Sequence, residues 1–298
     1  MPKLALIGVA LVTLGSSPHV VARIPTGDSP GGATSAFGAV WVANDASGTL
    51  ARIDPATNRV TRRVKLRPGL FSVTHGLGAL WVVNYKTGTL ARVDPRSGRV
   101  RSVRVGAVPF DVTAAFGRVW VTAWEAGKLV EVDPRSLRVV RRIAIGPRPT
   151  GLHVAGGALW VGFGRSATEV ARLDPTSGKV ERVSVGVRAP SWFVSGVRGL
   201  WIQAADNVLV HVDPAKRRVV GTLSFGRTLA QGSLAPDGTL WIPDKEQNLV
   251  YRVDPAKARV VDSFPAGPGA FFALRAHGSM WVTSYAGDEV WRFRPSGP

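Results

Sequence analysis

A tryptophan-centred unit recurs seven times at nearly constant spacing, and this repeat constrains the fold more than any other feature. Successive tryptophans are 40, 39, 40, 41, 40 and 40 residues apart. An Asp-Pro pair follows about 13 residues later in six copies. A fixed period of this length indicates an architecture in which each copy is one structural unit. The seven tryptophans are Trp41, Trp81, Trp120, Trp160, Trp201, Trp241 and Trp281.

Each copy has the pattern of four short strands separated by turn residues. In the fourth copy the strands are TGLHVA, ALWVGFG, EVARLDP and KVERVSVG, with glycine-rich turns between them. Four strands per repeat at this period are typical of propeller blades arranged around a channel. We therefore predict an all-β chain that forms a seven-bladed β-propeller with four antiparallel strands per blade. Because 45% of the 298 residues are hydrophobic, one domain over residues 18–298 can bury a large core.

The sequence also indicates how the ring closes. The seventh copy ends soon after its third strand, so its outer strand is missing from the C-terminal side. Residues 20–27 (VVARIPTG) match residues 139–146 (VVRRIAIG), an outer strand, at the same offset of 119 that separates Trp41 from Trp160. The N-terminal segment is therefore predicted to complete the last blade.

Residues 1–17 have the layout of a secretory signal: one lysine, an apolar run from Leu4 to Leu14, and small residues after it. The run is too short to span a bilayer, and no longer apolar segment follows it. We predict a signal peptide cleaved between Gly15 and Pro18, a secreted or periplasmic protein, and no membrane span in the mature chain. A buried N-terminal strand or a misplaced start codon is the alternative.

The blade motif resembles the YVTN and streptogramin-lyase-like (virginiamycin B lyase-like) propeller families. The motif consists of Gly-x-x-Pro, then Gly-x-Leu-Trp-Val, then the Leu-x-Arg-Val-Asp-Pro-x-Ser-Gly turn at residues 90–98. The resemblance covers nearly the whole predicted domain and implies the propeller fold. It leaves the function to be argued from the site, since related propellers include lyases, nucleic-acid binders and surface proteins.

The repeated residues are predicted to be architectural. The tryptophans are expected to alternate with exposed positions along the second strand and to pack between blades. Each Asp-Pro is expected to cap a turn, because the aspartate side chain accepts backbone N–H groups two residues further on. Neither set is predicted to do chemistry.

The formal net charge of +18 raises the question of an anionic partner. Basic residues fall at similar positions on the outer strands of several blades, which predicts a solvated belt around the rim. Weak polyanion binding, to nucleic acid or an envelope polymer, is the functional alternative. The belt includes Arg59, Arg62, Arg63, Lys65, Arg99, Arg101, Arg104, Arg138, Arg141, Arg142, Lys216, Arg217 and Arg218.

Candidate site residues occur where the repeats differ, in the loops that join blades and the loops that follow the tryptophan strand. Both sets of loops are expected at one end of the ring, and they carry aromatic residues that the repeat does not require. Rings and a few polar groups around a concave mouth are typical of ligand sites, although the same rings can simply pack against one another. The predicted ligand-binding residues are Phe71, Tyr85, Phe110, Asp111, Trp124, Trp192, Asp244, Lys245, Phe271 and Tyr285.

The resemblance to streptogramin lyases implies a test for catalysis. It implies histidines just after the proline that opens a blade, a glutamate after the tryptophan strand, and magnesium. No histidine occupies the two positions after the entry proline, and no glutamate occupies the position three residues after a repeat tryptophan. His75, His153 and His277 fall elsewhere in or after the inner strands, and His211 lies in a third strand. Asp45, Asp111 and Asp244 stay candidates for a metal or base, without a histidine partner.

The sequence as a whole predicts an exported, monomeric binding protein that takes a small molecule, glycan or protein partner on its loop face. No catalytic residue is assigned, and there is no cysteine and no motif for a serine nucleophile or a phosphate-binding loop. A lyase or hydrolase with a divergent site, with magnesium as its cofactor, is the enzymatic alternative. Weak polyanion binding at the rim is the other.

Overall fold

The computed structural model describes residues 18–196 and 199–295 and confirms the predicted seven-bladed β-propeller. Each blade is a four-stranded antiparallel sheet. The first strands of successive blades contact one another, so they form the inner wall of the ring. The predicted signal peptide, residues 1–17, lies outside the described residues.

The first four blades take their strands in chain order from the inside outwards. Blade 1 contains β2 (Pro30–Ala36), β3 (Ala39–Asn44), β4 (Thr49–Asp54) and β5 (Arg59–Lys65). Blade 2 contains β6 (Leu70–Gly76), β7 (Ala79–Asn84), β8 (Thr89–Val93) and β9 (Val100–Arg104). Blade 3 contains β10 (Pro109–Ala115), β11 (Arg118–Ala123), β12 (Lys128–Asp133) and β13 (Arg138–Ala144). Blade 4 contains β14 (Pro149–Ala155), β15 (Ala158–Phe163), β16 (Glu169–Leu173) and β17 (Val180–Ser184).

The last three blades include the irregular features of the ring. Blade 5 contains β18 (Trp192–Gly196), β19 (Gly199–Ala204), a one-turn 3₁₀ helix (Ala205–Asn207), β20 (Val208–Asp213) and β21 (Arg218–Ser224). Blade 6 contains β22 (Ser233–Leu234), β23 (Leu240–Asp244), β24 (Leu249–Asp254) and β25 (Arg259–Pro265), so its inner strand is only two residues long. Blade 7 contains β26 (Ala270–Ala276), β27 (Ser279–Ser284), β28 (Glu289–Arg294) and, as its outer strand, β1 (His19–Pro25).

The position of β1 confirms the predicted closure. β1 pairs antiparallel with β28, with His19 opposite Arg294 and Pro25 opposite Glu289. Ile24 of β1 is buried in a core cluster with Val290 and Trp281 of blade 7 and Val40 of blade 1. The two ends of the propeller domain therefore meet within one sheet.

The seven repeat tryptophans are fully buried and fill the spaces between blades, as predicted. Five of them donate the indole N–H to the backbone carbonyl five residues earlier, as Trp160 does to Ala155 at 3.2 Å. The expectation that they alternate with exposed positions is wrong. Every residue of β3, β7, β15 and β27 is buried, because neighbouring blades cover both faces of a second strand.

The Asp-Pro pairs cap turns, as predicted. Asp54 accepts the backbone N–H of Ala56 at 2.9 Å, and Asp94 accepts the N–H groups of Arg96 and Ser97 at 3.0 and 2.7 Å. These bonds to the charged form lower the pKa of both carboxyls. The repeated aspartates thus stabilise the turns between the third and fourth strands.

Within residues 18–196 and 199–295 there is no helix long and apolar enough to cross a membrane.

Candidate functional site

One hydrogen bond recurs in every blade and defines the end of the ring that we call the loop face. In each blade, the backbone N–H four residues after the tryptophan donates to a carbonyl in the loop that leads into the inner strand. Examples are Tyr85 to Gly69 at 2.9 Å and Trp124 to Val108 at 3.0 Å. The two sets of loops therefore lie side by side at one end, as the sequence predicts. The other five bonds are Asp45 to Ser29, Gly164 to Arg148, Ala205 to Arg188, Lys245 to Thr228 and Tyr285 to Gly269.

Six of the predicted aromatic residues meet in one cluster on this face. Phe71 of blade 2 lies 4.7 Å from Phe110 of blade 3, 6.0 Å from Trp192 of blade 5 and 5.8 Å from Phe271 of blade 7, between ring centroids. Trp124 stacks on Phe110 at 5.3 Å. Because these rings come from blades on different sides of the ring, they meet over the mouth of the channel. The aromatic cluster consists of Phe71, Phe110, Trp124, Trp192, Phe271 and Tyr285.

A carboxylate and an ammonium group lie at the side of this cluster. Tyr285, 5.6 Å from Phe271, donates its hydroxyl to Asp45 at 2.7 Å, and Tyr85 donates to the same carboxylate at 3.3 Å. The ammonium of Lys245 lies 5.1 Å from the Tyr285 ring centroid and 5.7 Å from that of Phe271. Lys245 is exposed, so a cation is presented to solvent beside the rings.

Asp111 and Asp244 are buried and are used by the protein itself. Asp111 accepts the hydroxyl of Ser72 at 2.5 Å and the N–H groups of Val112 and Leu152 at 2.8 and 2.7 Å. Burial raises the pKa of the Asp111 carboxyl, although the three hydrogen bonds act to lower it. These carboxylates hold neighbouring loops together, and their contact with a ligand stays a prediction. Asp244 accepts backbone N–H groups from Arg227, Thr228, Glu246 and Gln247.

The inner-strand histidines contact hydroxyl groups of neighbouring blades. His153 Nε2 lies 2.6 Å from Ser195 Oγ, and His75 Nδ1 lies 2.8 Å from Thr34 Oγ1. A serine beside a histidine is the beginning of a nucleophile and base pair. Burial, however, lowers the pKa of His153 to about 4, which makes it a poor base at neutral pH.

Residues 18–196 and 199–295 contain no group of three or more histidine, aspartate, glutamate or cysteine side chains placed to hold a metal ion. Asp45, Asp111 and Asp244 lie in different environments and do not form a shared set of ligands. The donor set therefore does not fit the magnesium site that the resemblance to streptogramin lyases implies.

Gln203 is a residue of this face that the sequence reasoning missed. It stands two residues after Trp201, where the other blades have Ala43, Val83, Thr122, Gly162, Pro243 and Thr283. A long carboxamide side chain at a position where the other blades have small or apolar side chains is the sequence signal that could have identified Gln203. The position lies within the tryptophan strand and not in the loop after it, where the candidate residues were predicted.

Comparisons with known proteins agree with this fold. A family model described as a repeat of unknown function (DUF6923) matches residues 9–123. No curated protein shows a significant sequence match to the chain.

Solved structures with this fold include several of unrelated activity. Virginiamycin B lyase from Staphylococcus aureus is 14% identical with a TM-score of 0.76, and the match covers 90% of this chain and 95% of that one. Hydrazine synthase from Kuenenia stuttgartiensis is 15% identical with a TM-score of 0.76, covering 91% and 96% of the two chains. BamB from Moraxella catarrhalis is 13% identical with a TM-score of 0.66, covering 91% and 84%. At these identities the similarity shows that this chain has a propeller fold, and it assigns neither the YVTN family nor an activity.

Proposed function

We propose that this propeller is a binding protein whose aromatic cluster takes a ligand with a flat apolar surface, from a small molecule, a glycan or a protein partner. The observation that carries the proposal is the continuous contact of six rings from four blades over the channel mouth. The repeat itself does not need these rings, because other blades have small or polar residues at the same positions.

The burial of the rings supports a binding role. All six are only partly buried, whereas the seven repeat tryptophans that hold the blades together are fully buried. Partly exposed rings next to charged groups give the mixture of apolar area and polar contacts that ligand sites use. Lys245 and Asp45 supply those charged groups at one side of the cluster.

The test is a binding screen followed by matched aromatic substitutions. Thermal shift with small molecules, glycans and nucleosides identifies ligands, because a ligand that binds the folded state raises Tm. Trp124→Ala and Phe271→Ala are then expected to weaken binding about 30-fold or more, as truncation of aromatic contact residues commonly does. Phe37→Ala is the control, because Phe37 is 49% exposed in a turn between first and second strands, at the opposite end of the ring. Unchanged affinity in both cluster variants would show that the rings only pack against one another.

A second candidate function, weak polyanion binding, rests on the exposed basic belt. The fourth strands β5, β9, β13 and β21 carry most of its residues, nearly all of them exposed. Such dispersed charge binds phosphates without reading sequence, so affinity for single-stranded DNA is expected to fall steeply with salt and to be similar for different sequences. Sequence-selective binding that persists at high salt would contradict this function.

We also infer export of the protein, from the signal-like layout of residues 1–17. Expression with and without this segment, followed by cell fractionation, tests the inference. Equal amounts of extracytoplasmic protein from the two forms would contradict it.

A further inference from the structure

A pocket opens on the loop face between blades 5 and 6, next to the aromatic cluster. Its volume is about 310 Å³. Its walls come from the loop that leads into blade 5, the 3₁₀ turn at Ala205–Asn207, and residues 227–229 of the loop that leads into blade 6. Trp192, a member of the aromatic cluster, forms part of the lining. The pocket is therefore continuous with the proposed binding face.

Gln203 also lines this pocket, and its side-chain amide has no hydrogen-bond partner. The residue is 1% exposed, and neither Nε2 nor Oε1 finds an acceptor or donor within the described chain. A buried polar group without a partner costs about 1–3 kcal/mol, so proteins retain few of them. The unpaired Gln203 amide therefore destabilises the free protein, and a bound molecule that forms hydrogen bonds with the amide would remove this destabilisation.

The surroundings of Gln203 leave room for its side chain. The inner strand of blade 6 is reduced to Ser233–Leu234, and Gly232 precedes it without a side chain. A Cβ atom added at Gly232 would lie 3.3 Å from Gln203 Nε2 and 2.5 Å from the Ile242 side chain. The space beside the amide therefore depends on glycine at this position.

Trp192 and Gln203 are direct cross-strand neighbours in β18 and β19. Directly opposite residues on an antiparallel pair project to the same face of the sheet, so the indole and the carboxamide face the same side of blade 5. We propose that this pocket binds a planar nitrogen heterocycle of the nucleobase type, which pairs a donor and an acceptor on one edge with the Gln203 amide and lies against the Trp192 indole.

The chemistry of the two side chains selects this class of ligand. A carboxamide has N–H donors and a carbonyl acceptor side by side, and it pairs with a ring edge that carries an adjacent acceptor and donor. Aromatic side chains stack on the faces of such rings. Glutamine has several rotatable bonds, so rotation of its side chain is enough to turn the amide towards a ligand in the pocket. Arg227 lies exposed at the edge of the pocket, where a sugar phosphate attached to the ring would meet a positive charge.

Adenosine and uridine are suitable probes, because each carries an adjacent donor and acceptor. Their matched controls are adenosine dimethylated on its exocyclic amine and uridine methylated on its ring N–H, which lack the donor. Titration calorimetry is expected to detect one or both nucleosides, with the methylated form about tenfold weaker or more. The inference rests on the proposed function, since it assigns part of the loop face to a particular ligand.

Gln203→Met tests the amide at nearly constant shape. Nucleoside affinity is expected to fall about tenfold, while Tm of the free protein stays equal or rises, because an unpartnered polar group is removed. Thr283→Val is the matched control: Thr283 occupies the same repeat position in blade 7, and its buried hydroxyl also lacks a partner. This control is expected to raise or keep Tm in the same way and to leave nucleoside affinity unchanged.

Three results would overturn the inference: neither nucleoside binds at about 10 mM, a methylated form binds equally well, or Gln203→Met keeps the affinity. A fall in Tm with Gln203→Met would assign the amide a structural role and would also count against the inference.

The same variants separate this inference from the proposed function. If screened ligands lose affinity in Trp124→Ala but not in Gln203→Met, the pocket fails and the proposed function stands. If nucleosides respond to Gln203→Met but not to Trp124→Ala or Phe271→Ala, the pocket with Trp192 stands, and the other rings of the cluster take no part in binding. Single-stranded oligonucleotides run in parallel distinguish a base within a polymer from a free nucleoside as the source of the ring.

Discussion

Tyr285 of blade 7 donates its hydroxyl to the carboxylate of Asp45 in blade 1, at 2.7 Å. The bond crosses the junction between the last blade and the first, and Tyr85 of blade 2 donates to the same carboxylate at 3.3 Å. Burial and this carboxylate raise the pKa of Tyr285 well above its ordinary value, because both disfavour the phenolate.

The raised pKa of Tyr285 predicts a late step in alkaline titration. The folded pKa lies above the unfolded value of about 10, so the contribution to stability is complete below pH 10 and is lost as pH rises through the folded pKa. Burial also raises the pKa of Tyr251. The shift is larger for Tyr285, so tyrosinate absorbance is expected to show Tyr285 as the last of the three tyrosines to titrate, well after pH 10. Tyr285→Phe should remove this step, and Tyr85→Phe should leave it in place. A last step at unchanged pH in Tyr285→Phe would assign that step to another tyrosine.

Trp160 and Trp241 offer a matched comparison of two buried indoles. Trp160 donates its N–H to the carbonyl of Ala155, whereas the Trp241 N–H has no acceptor within the described residues. Phenylalanine removes similar volume at both positions, but at Trp160 it also removes the hydrogen bond to Ala155, whereas at Trp241 it removes an unpaired donor. We expect Trp160→Phe to lower the free energy of unfolding by about 1–2 kcal/mol more than Trp241→Phe, measured by urea denaturation. Equal losses would show that the hydrogen bond contributes little.

The closure of the ring predicts a strong effect of a single residue in β1. Ile24 is buried against Val290 and Trp281, although it lies near the start of the described chain. Ile24→Ala is expected to cost about 2–4 kcal/mol, and deletion through Gly27 should also leave the edge of β28 unpaired and promote aggregation. Val20→Ala, at a partly buried site in the same strand, should cost less. A deletion variant with unchanged Tm would contradict closure by β1.

The lowered pKa of His153 predicts a loss of stability in mild acid. The unfolded histidine takes up a proton near pH 6.5, whereas burial delays protonation in the folded protein to about pH 4. Stability contributed by the neutral ring is therefore complete above pH 6.5 and decreases as pH falls from 6.5 to 4. We expect His153→Gln, which keeps a polar partner for Ser195, to reduce the loss over this window by about 1–2 kcal/mol. Parallel stability curves for the two proteins would show that the ring titrates normally.

The repeat predicted the parts of the structure that depend on period. Trp41 and its six equivalents fixed the number of blades, and the match of residues 20–27 to an outer strand fixed the partner of β28. The predicted alternation of buried and exposed residues was wrong for β3, because the adjacent blades cover both faces of this strand.

The candidate site was predictable only in part. The position of Phe71 and Trp192 in the repeat predicted that both lie on the loop face. The distance of 6.0 Å between their ring centroids depends on the paths of loops in blades 2 and 5, which the spacing of the sequence does not predict. The isolation of the Gln203 amide could not be predicted either, because it follows from the short inner strand of blade 6 and the space at Gly232.

The pairing of β1 with β28 places the two ends of the propeller side by side, with His19 opposite Arg294. A linker of a few residues could therefore join these strands, and the chain could be opened instead at the exposed turn between Asp174 and Lys179 of blade 4. Such a circularly permuted chain would keep every blade and move its ends to another blade of the ring. The order in which the blades are synthesised is thus separable from the order in which they are arranged.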